Sequence, residues 1–319
     1  MKVAFVGKGG SGKTTIASLL SRHLAAAKLP VLVIDADINQ HMAEALGMST
    51  EAAAAMPPMG LEMDRIKDYL RGSNRLISSN LAMAKTTPPG PGSNLVSIQE
   101  DNPIYDHFQR SSDGVRLMSV GPFSEEDLGV KCYHSKTGAA ELLLSHMTDG
   151  PNEYLIMDMT AGADTFASGM FTKFDSTFLV VEPTLKSLSV YRQYKHHAKD
   201  YDVAIKVVGN KVEDSDDVDF LREHVGDDLV AYFTRSEYVR KMEKGSFPPI
   251  SGLETANVEA LRKLQATVDA CKQDWPKFYR QTVEFHVKNA KSWANAEAGE
   301  DLTQQVDPDF VLDTITAPA

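Results

Sequence analysis

Short apolar runs alternate with segments of helical periodicity along most of the chain. The runs "KVAFVG" (2–7), "PVLVIDAD" (30–37), "VRLMSVG" (115–121), "EYLIMDM" (153–159), "STFLVVEP" (176–183), "VAIKVVGN" (203–210) and "DLVAYF" (228–233) read as strands. Several are apolar at consecutive positions, the pattern of strands covered on both faces. Helices are expected over 13–28, 40–46, 61–71, 136–147, 161–172, 185–199, 215–225 and 235–244. This alternation predicts an α/β fold, a doubly wound, mostly parallel sheet with helices on both faces.

Two regions break the rhythm. "AKTTPPGPGSN" (84–94) is a Pro/Gly loop inside an insertion at about 48–114. Near the C-terminus, "DWPKFYRQTVEFHVKNAKSW" places Pro276 at a helix start, where a missing N–H costs little. Phe278, Tyr279, Val283, Val287 and Ala290 share roughly one face, which predicts a helix packed on its own domain. The stretch 291–319 reads as a tail. The expected organisation is one domain over 1–270, carrying the insertion, followed by a C-terminal helix and tail over 271–319.

Composition narrows the function. A chain of 319 residues with 42% hydrophobic content can bury a sizeable core. It has no apolar run of membrane-spanning length and no signal-peptide plan, so a soluble cytoplasmic protein without a membrane partner is expected. The net charge of −11 and the lack of a Lys/Arg block argue against a nucleic-acid partner. Cys132 and Cys271 cannot make a disulfide framework and suit a reducing compartment.

The chemistry begins at "GKGGSGKTT" (7–15), between the first strand and the first helix. Gly7, Gly12, Lys13 and Thr14 match G-x-x-x-x-G-K-[ST], the phosphate-binding loop of P-loop NTPases. Glycines let the backbone wrap an anion, and the helix adds its positive end. Gly9, Gly10, Ser11, Gly12, Lys13, Thr14 and Thr15 are the candidate phosphate contacts. Lys13 is expected on the β/γ-phosphates and the Thr14 hydroxyl on Mg²⁺. A second lysine, Lys8, would repel Lys13 unless several phosphates neutralise both. It could instead point away to a phosphate on a second subunit, or simply be solvated.

This loop resembles the deviant Walker A motif, K-G-G-x-G-K-[ST], of the MinD/ParA/nitrogenase-iron-protein (SIMIBI) class. The resemblance implies that Lys8 reaches across a nucleotide-sandwiched homodimer and acts with Lys13 in catalysis. "VLVIDADINQHMAEALG" (31–47) looks like the second strand and switch I of the class, which makes Asp37 the residue that positions the attacking water. Asp35 precedes it on the strand, with its role open. "YLIMDMTAG" (154–162) looks like Walker B and switch II. There Asp158 would hold Mg²⁺ through water, and Gly162 would permit movement when the γ-phosphate leaves. In "VVGNKVED" (207–214) the guanine-reading pattern Asn-Lys-x-Asp carries Glu213 at its last position. A matching Asn reads adenine in the MinD-like class, so Asn210 is a base contact either way, and ATP is favoured over GTP.

Within the class the chain resembles the CooC-type ATPases of carbon monoxide dehydrogenase maturation, in "EALG", "DMTAG", "VVEPTLKSL" (180–188) and "VGNKV". Those ATPases carry a Cys-x-Cys pair that binds metal at the dimer interface. Here Cys132-Tyr133-His134 stands in a similar place. Two protomers would supply Cys₂His₂, which suits Zn²⁺ and could take Ni²⁺. The alternative is a small buried cysteine beside a polar histidine. The 48–114 insertion, the C-terminal extension, and Ile38 where a proline is expected depart from the pattern. His41, His196, His197 and Trp275 carry weaker signals and read as helix or core residues.

The resemblance implies a Mg²⁺-dependent ATPase, a homodimer that binds ATP and ADP and works on a client metalloenzyme. A MinD/ParA-type positioning or partition ATPase and a nucleotide-binding scaffold without turnover are the alternatives.

Overall fold

The computed structural model describes residues 1–122, 134–150, 152–160 and 163–312, with the side chains of 134–135 and 163–165 outside that description. Its centre is an eight-stranded sheet in the order β3-β4-β2-β5-β1-β6-β7-β8. The strands are β1 (Lys2–Gly7), β2 (Val31–Ala36), β3 (Arg110–Ser112), β4 (Val115–Ser119), β5 (Tyr154–Met159), β6 (Ser176–Val181), β7 (Ile205–Val212) and β8 (Leu229–Thr234). Every pairing is parallel except the β3–β4 hairpin at one edge. All the strands expected from the sequence are present, and β3 is an addition.

Side chains alternate across a pleated strand. Val3 and Phe5 therefore point into one core, and Ala4 and Val6 into another on the opposite face. The first core is covered by helix Lys13–Ala26, through Ile16, Leu19, Leu20 and Leu24, and by helix Thr255–Asp269. The second is covered by helices Met63–Arg71, His134–Ser145 and Leu185–Ala198. Both sheet faces are thus sealed, as the doubly apolar strands demand. No described helix is long and apolar enough to cross a membrane.

The 48–114 segment is not a separate layer. Met59, Ile66, Leu70, Ile77 and Phe108 belong to the same core as the sheet. Its Pro/Gly loop is largely buried, with Thr86 and Thr87 at 3% and 0% exposure. What covers it is the C-terminal region. His286 Nδ1 lies 3.3 Å from Thr86 Oγ1, the Thr87 hydroxyl donates to Gln305 Oε1 at 3.1 Å, and Gln305 Nε2 donates to the Ala82 carbonyl at 3.0 Å. The stretch read as a tail instead forms a π turn at Ala290–Ala294, a helix at Asn295–Ala298 and a 3₁₀ turn at Leu302–Gln305. Ala290, Ala294 and Leu302 close a small core with Ala82 and Ala84.

The buried face of helix Trp275–Asn289 also differs from expectation. It consists of Gln281, Thr282, Phe285, His286 and Asn289, while Phe278, Tyr279, Val283 and Val287 are half-buried. The polar members are buried because each has a partner. Lys173 Nζ donates to Thr282 Oγ1 at 2.5 Å, Gln281 Nε2 donates to the Tyr201 carbonyl at 2.7 Å, and His286 Nε2 sits 2.9 Å from the Leu302 carbonyl.

Phe285 anchors this helix near the end of β5's crossover. Gly169 adopts φ +93°, and a Cβ there would lie 2.2 Å from the Phe285 ring. Gly169→Ala combines left-handed strain with overpacking, and a loss of about 3 kcal/mol in urea unfolding is expected. A variant as stable as the wild type would show that the ring is not held against this turn.

Candidate functional site

The carboxyl ends of β1, β2, β7 and β8 converge on an open cleft of about 900 Å³. Ligands in open α/β sheets sit beyond these strand ends, beside the point where the strand order reverses. Gly9, Gly10, Gly12, Lys13, Thr14, Thr15, Asp37 and Asn210 all line it. Ser11 is buried beneath them.

The loop is shaped by its neighbours. Ser11 N–H closes a turn onto the Lys8 carbonyl at 3.0 Å, and Ile16 N–H bonds the Gly12 carbonyl at 3.0 Å to start the helix. Gly12 adopts φ +91°, and a Cβ there would meet Asn210 Nδ2 at 2.1 Å, so only glycine fits. Helix Lys13–Ala26 has no side-chain cap and no acidic residue in its first turn. Its positive end is left for an external anion.

Charge is concentrated at one end of the cleft. Lys13 Nζ pairs with Asp37 Oδ2 at 2.5 Å, both side chains nearly inaccessible to water. The Thr14 hydroxyl donates to Asp158 Oδ2 at 2.5 Å. Asp158 Oδ1 and Ser11 Oγ are buried without a hydrogen-bond partner among the described residues. Orphaned polar oxygens of this kind are what a ligand or cation completes. A carboxylate beside a hydroxyl also suits a hard divalent ion, so Thr14 and Asp158 fit Mg²⁺.

Asp35 does not face the cleft. Its Oδ1 accepts from Asp37 N–H at 3.1 Å and its Oδ2 from Met42 N–H at 2.9 Å, which ties down the segment carrying Asp37. It stands in register with Asp158 on the adjacent strand. Burial, reinforced by the Asp158 charge, pushes the Asp35 carboxyl up to about 8. Burial also raises Asp158, to about 6, against the opposing pull of Lys13 and Thr14. For Asp37, burial is outweighed by hydrogen bonds from Lys13 and Asn39, and the carboxyl stays below its usual range.

A raised carboxyl pKa means that the folded state holds a proton that the unfolded state has lost, so this contribution destabilises as pH rises through the folded value. Asp35→Asn removes it. The melting temperature of the ligand-free variant relative to wild type is therefore expected to climb between pH 6 and 8. A difference that stays constant across that window would mean that Asp35 does not titrate there.

Lys8 is placed differently from Lys13. It is half-buried, does not line the cleft, and its ammonium makes no hydrogen bond or ion pair among the described residues. Cys132 and Gly162 lie outside the described residues, as does the side chain of His134. Among the described residues no cluster of three or more His, Cys, Asp or Glu could hold a metal ion. Glu213, weighed as a guanine reader, is bonded by Arg235 Nη2 at 2.5 Å and does not line the cleft.

Several residues went unnoticed in the sequence. Thr234, Arg235, Ser236 and Asn257 also line the cleft. Lys211 lines the cleft and adopts φ +59°, at a register shift between β7 and β8. For a non-glycine residue that conformation costs roughly 1–2 kcal/mol. The only signal for Lys211 was its place after Asn210 in "GNKV".

Residues 3–246 match the CobQ/CobB/MinD/ParA nucleotide binding domain. The carbon monoxide dehydrogenase accessory protein CooC of Rhodospirillum rubrum is 28% identical over 222 residues, 69% of this chain and 78% of CooC. An uncharacterized ATP-binding protein of Methanocaldococcus jannaschii is 28% identical over 248 residues, 76% of this chain and 88% of its own length. The septum site-determining protein MinD of Pyrococcus horikoshii, solved with Mg-ADP, superposes at a TM-score of 0.55 and 17% identity, over 85% of this chain and 97% of MinD. That last likeness is one of fold alone.

Proposed function

Because the chain belongs to the CobQ/CobB/MinD/ParA nucleotide-binding family, we propose that it is a Mg²⁺-dependent ATPase whose homodimer closes on ATP and relaxes on hydrolysis. The observation that carries this reading is the convergence of Lys13, Thr14 and Asp37 at one end of the cleft, with Asp158 buried behind Thr14 and bonded to its hydroxyl.

Each residue has a task in phosphoryl transfer to water. The loop N–H groups and the helix end receive the phosphates. Lys13 exchanges its bond with Asp37 for one to the terminal phosphates. The freed Asp37 carboxylate, still held by hydrogen bonds from Asn39, orients the attacking water. Thr14 and Asp158 would hold Mg²⁺, which neutralises charge on the phosphate oxygens when bound. Lys8, whose ammonium has no hydrogen bond or ion pair among the described residues, adds its charge across the dimer. Asn210 and the wall around Arg235 receive the base, and ATP is preferred over GTP.

The cellular role follows the likeness to CooC: conformational work on a metalloenzyme during its maturation. The test of the ATPase is steady-state phosphate release. Release that requires Mg²⁺ and is competed more strongly by ADP than by GDP is expected. Tight ATP binding with no release would leave a nucleotide-gated scaffold and overturn the reading. Capture of a metal-depleted metalloenzyme by the ATP-locked protein tests the role.

A further inference from the structure

Two consecutive residues of β7 hold two consecutive carbonyls of the phosphate loop. Asn210 Nδ2 donates to the Ser11 carbonyl at 2.7 Å, and Lys211 Nζ donates to the Gly10 carbonyl at 2.8 Å. Lys211 Nζ also pairs with Glu182 Oε1 at 2.6 Å, just beyond the end of β6. The left-handed turn at Lys211 is what brings this side chain back over the loop.

A peptide unit is planar and trans, so its C=O and N–H point in opposite directions. Fixing one end of the unit aims the other. The Gly10–Ser11 unit is held at both ends, by Lys211 on its carbonyl and by the Lys8 carbonyl on its N–H. The next unit is held by Asn210 at its carbonyl, which turns the Gly12 N–H the opposite way. With glycines on both sides, this stretch has little stiffness of its own.

We propose that Lys211, anchored by Glu182, is a positioning residue of the phosphate loop: it immobilises the Gly10–Ser11 peptide so that the loop donors are aimed before nucleotide arrives. This rests on the reading of the cleft as a nucleotide site. Preorganised donors bind without first losing conformational freedom, so the effect falls on affinity. The ion pair is half-exposed, with Lys211 at 52% and Glu182 at 27%, and such pairs contribute little to global stability. Its removal leaves the fold intact.

Electrostatics alone makes the opposite prediction for one variant. Deleting the Glu182 charge beside a polyphosphate site would tighten binding, whereas loss of the anchor weakens it. Calorimetric titration of ATP and ADP, with steady-state kinetics, separates the two. Lys211→Met is expected to raise Kd about tenfold for both nucleotides, with KM rising in step and kcat within about twofold. Glu182→Gln is expected to weaken both about threefold, and Lys211→Arg to restore near-wild-type affinity. Tighter binding by Glu182→Gln, or a Lys211→Met effect confined to ATP, overturns the clamp. Amide hydrogen exchange of residues 9–12 in nucleotide-free protein gives a second readout. Faster exchange in both weakened variants supports the clamp, and unchanged exchange removes it. A wild-type chain that binds neither nucleotide refutes the nucleotide reading, and exchange still decides the clamp.

Discussion

Lys13→Ala is expected to raise the Kd for ATP by roughly 100-fold or more, because truncating one partner of a buried, hydrogen-bonded charge pair costs about 2–5 kcal/mol. Two contributions add. The variant loses the cation expected on the β/γ-phosphates, and it leaves Asp37, itself nearly inaccessible, without the ammonium at 2.5 Å. An unpaired buried carboxylate brought close to incoming phosphate repels it. The same loss lets burial dominate the Asp37 carboxyl, which then moves upward from its present lowered position. Calorimetric titration with Mg-ATP, alongside a melting curve to establish that the variant is folded, makes the measurement. Retention of ATP affinity within a few-fold would take Lys13 out of the phosphate site.

Lys8→Ala separates binding from turnover. Lys8 does not line the cleft of its own protomer, so ATP affinity is expected to stay within about threefold. Turnover is expected to fall by about 10³-fold or more, the scale of a cationic side chain supplied to a phosphoryl-transfer transition state from outside. Sedimentation with a non-cleavable ATP analogue is expected to give a dimer for the wild type and a monomer for the variant. Normal hydrolysis by Lys8→Ala would contradict the cross-subunit role, and so would a wild-type monomer that turns over ATP while saturated with analogue in parallel runs.

The sheet was legible because its strands are buried on both faces. Runs such as "VLVIDA" and "STFLVV" are apolar at nearly every position and cannot be mistaken for amphipathic helix. The phosphate loop was legible because its residues are consecutive and carry a tight steric requirement, seen at Gly12 against Asn210. Helix Thr255–Asp269 was missed although Ala260, Leu261, Leu264 and Val268 stand at the one-face spacing of an amphipathic helix, because it follows the last strand and lies outside the strand–helix alternation. The inner face of helix Trp275–Asn289 defeated an apolar-stripe rule outright. Thr282 and His286 are inside because Lys173 and the Leu302 carbonyl, distant in sequence, satisfy them. Asp35 and Lys211 share a further reason for being hidden. Their effect is on the backbone of neighbouring segments, and a sequence shows side-chain types without showing which carbonyl or amide they reach.

The seam joining Thr86 and Thr87 to His286 and Gln305 spans 200 and 218 positions of chain. During synthesis the early loop must therefore wait, wet and unpartnered, until residue 305 has left the ribosome. A chain shortened before His286 would leave Thr86 and Thr87 without this cover, and faster proteolysis within the inserted segment is the expected result.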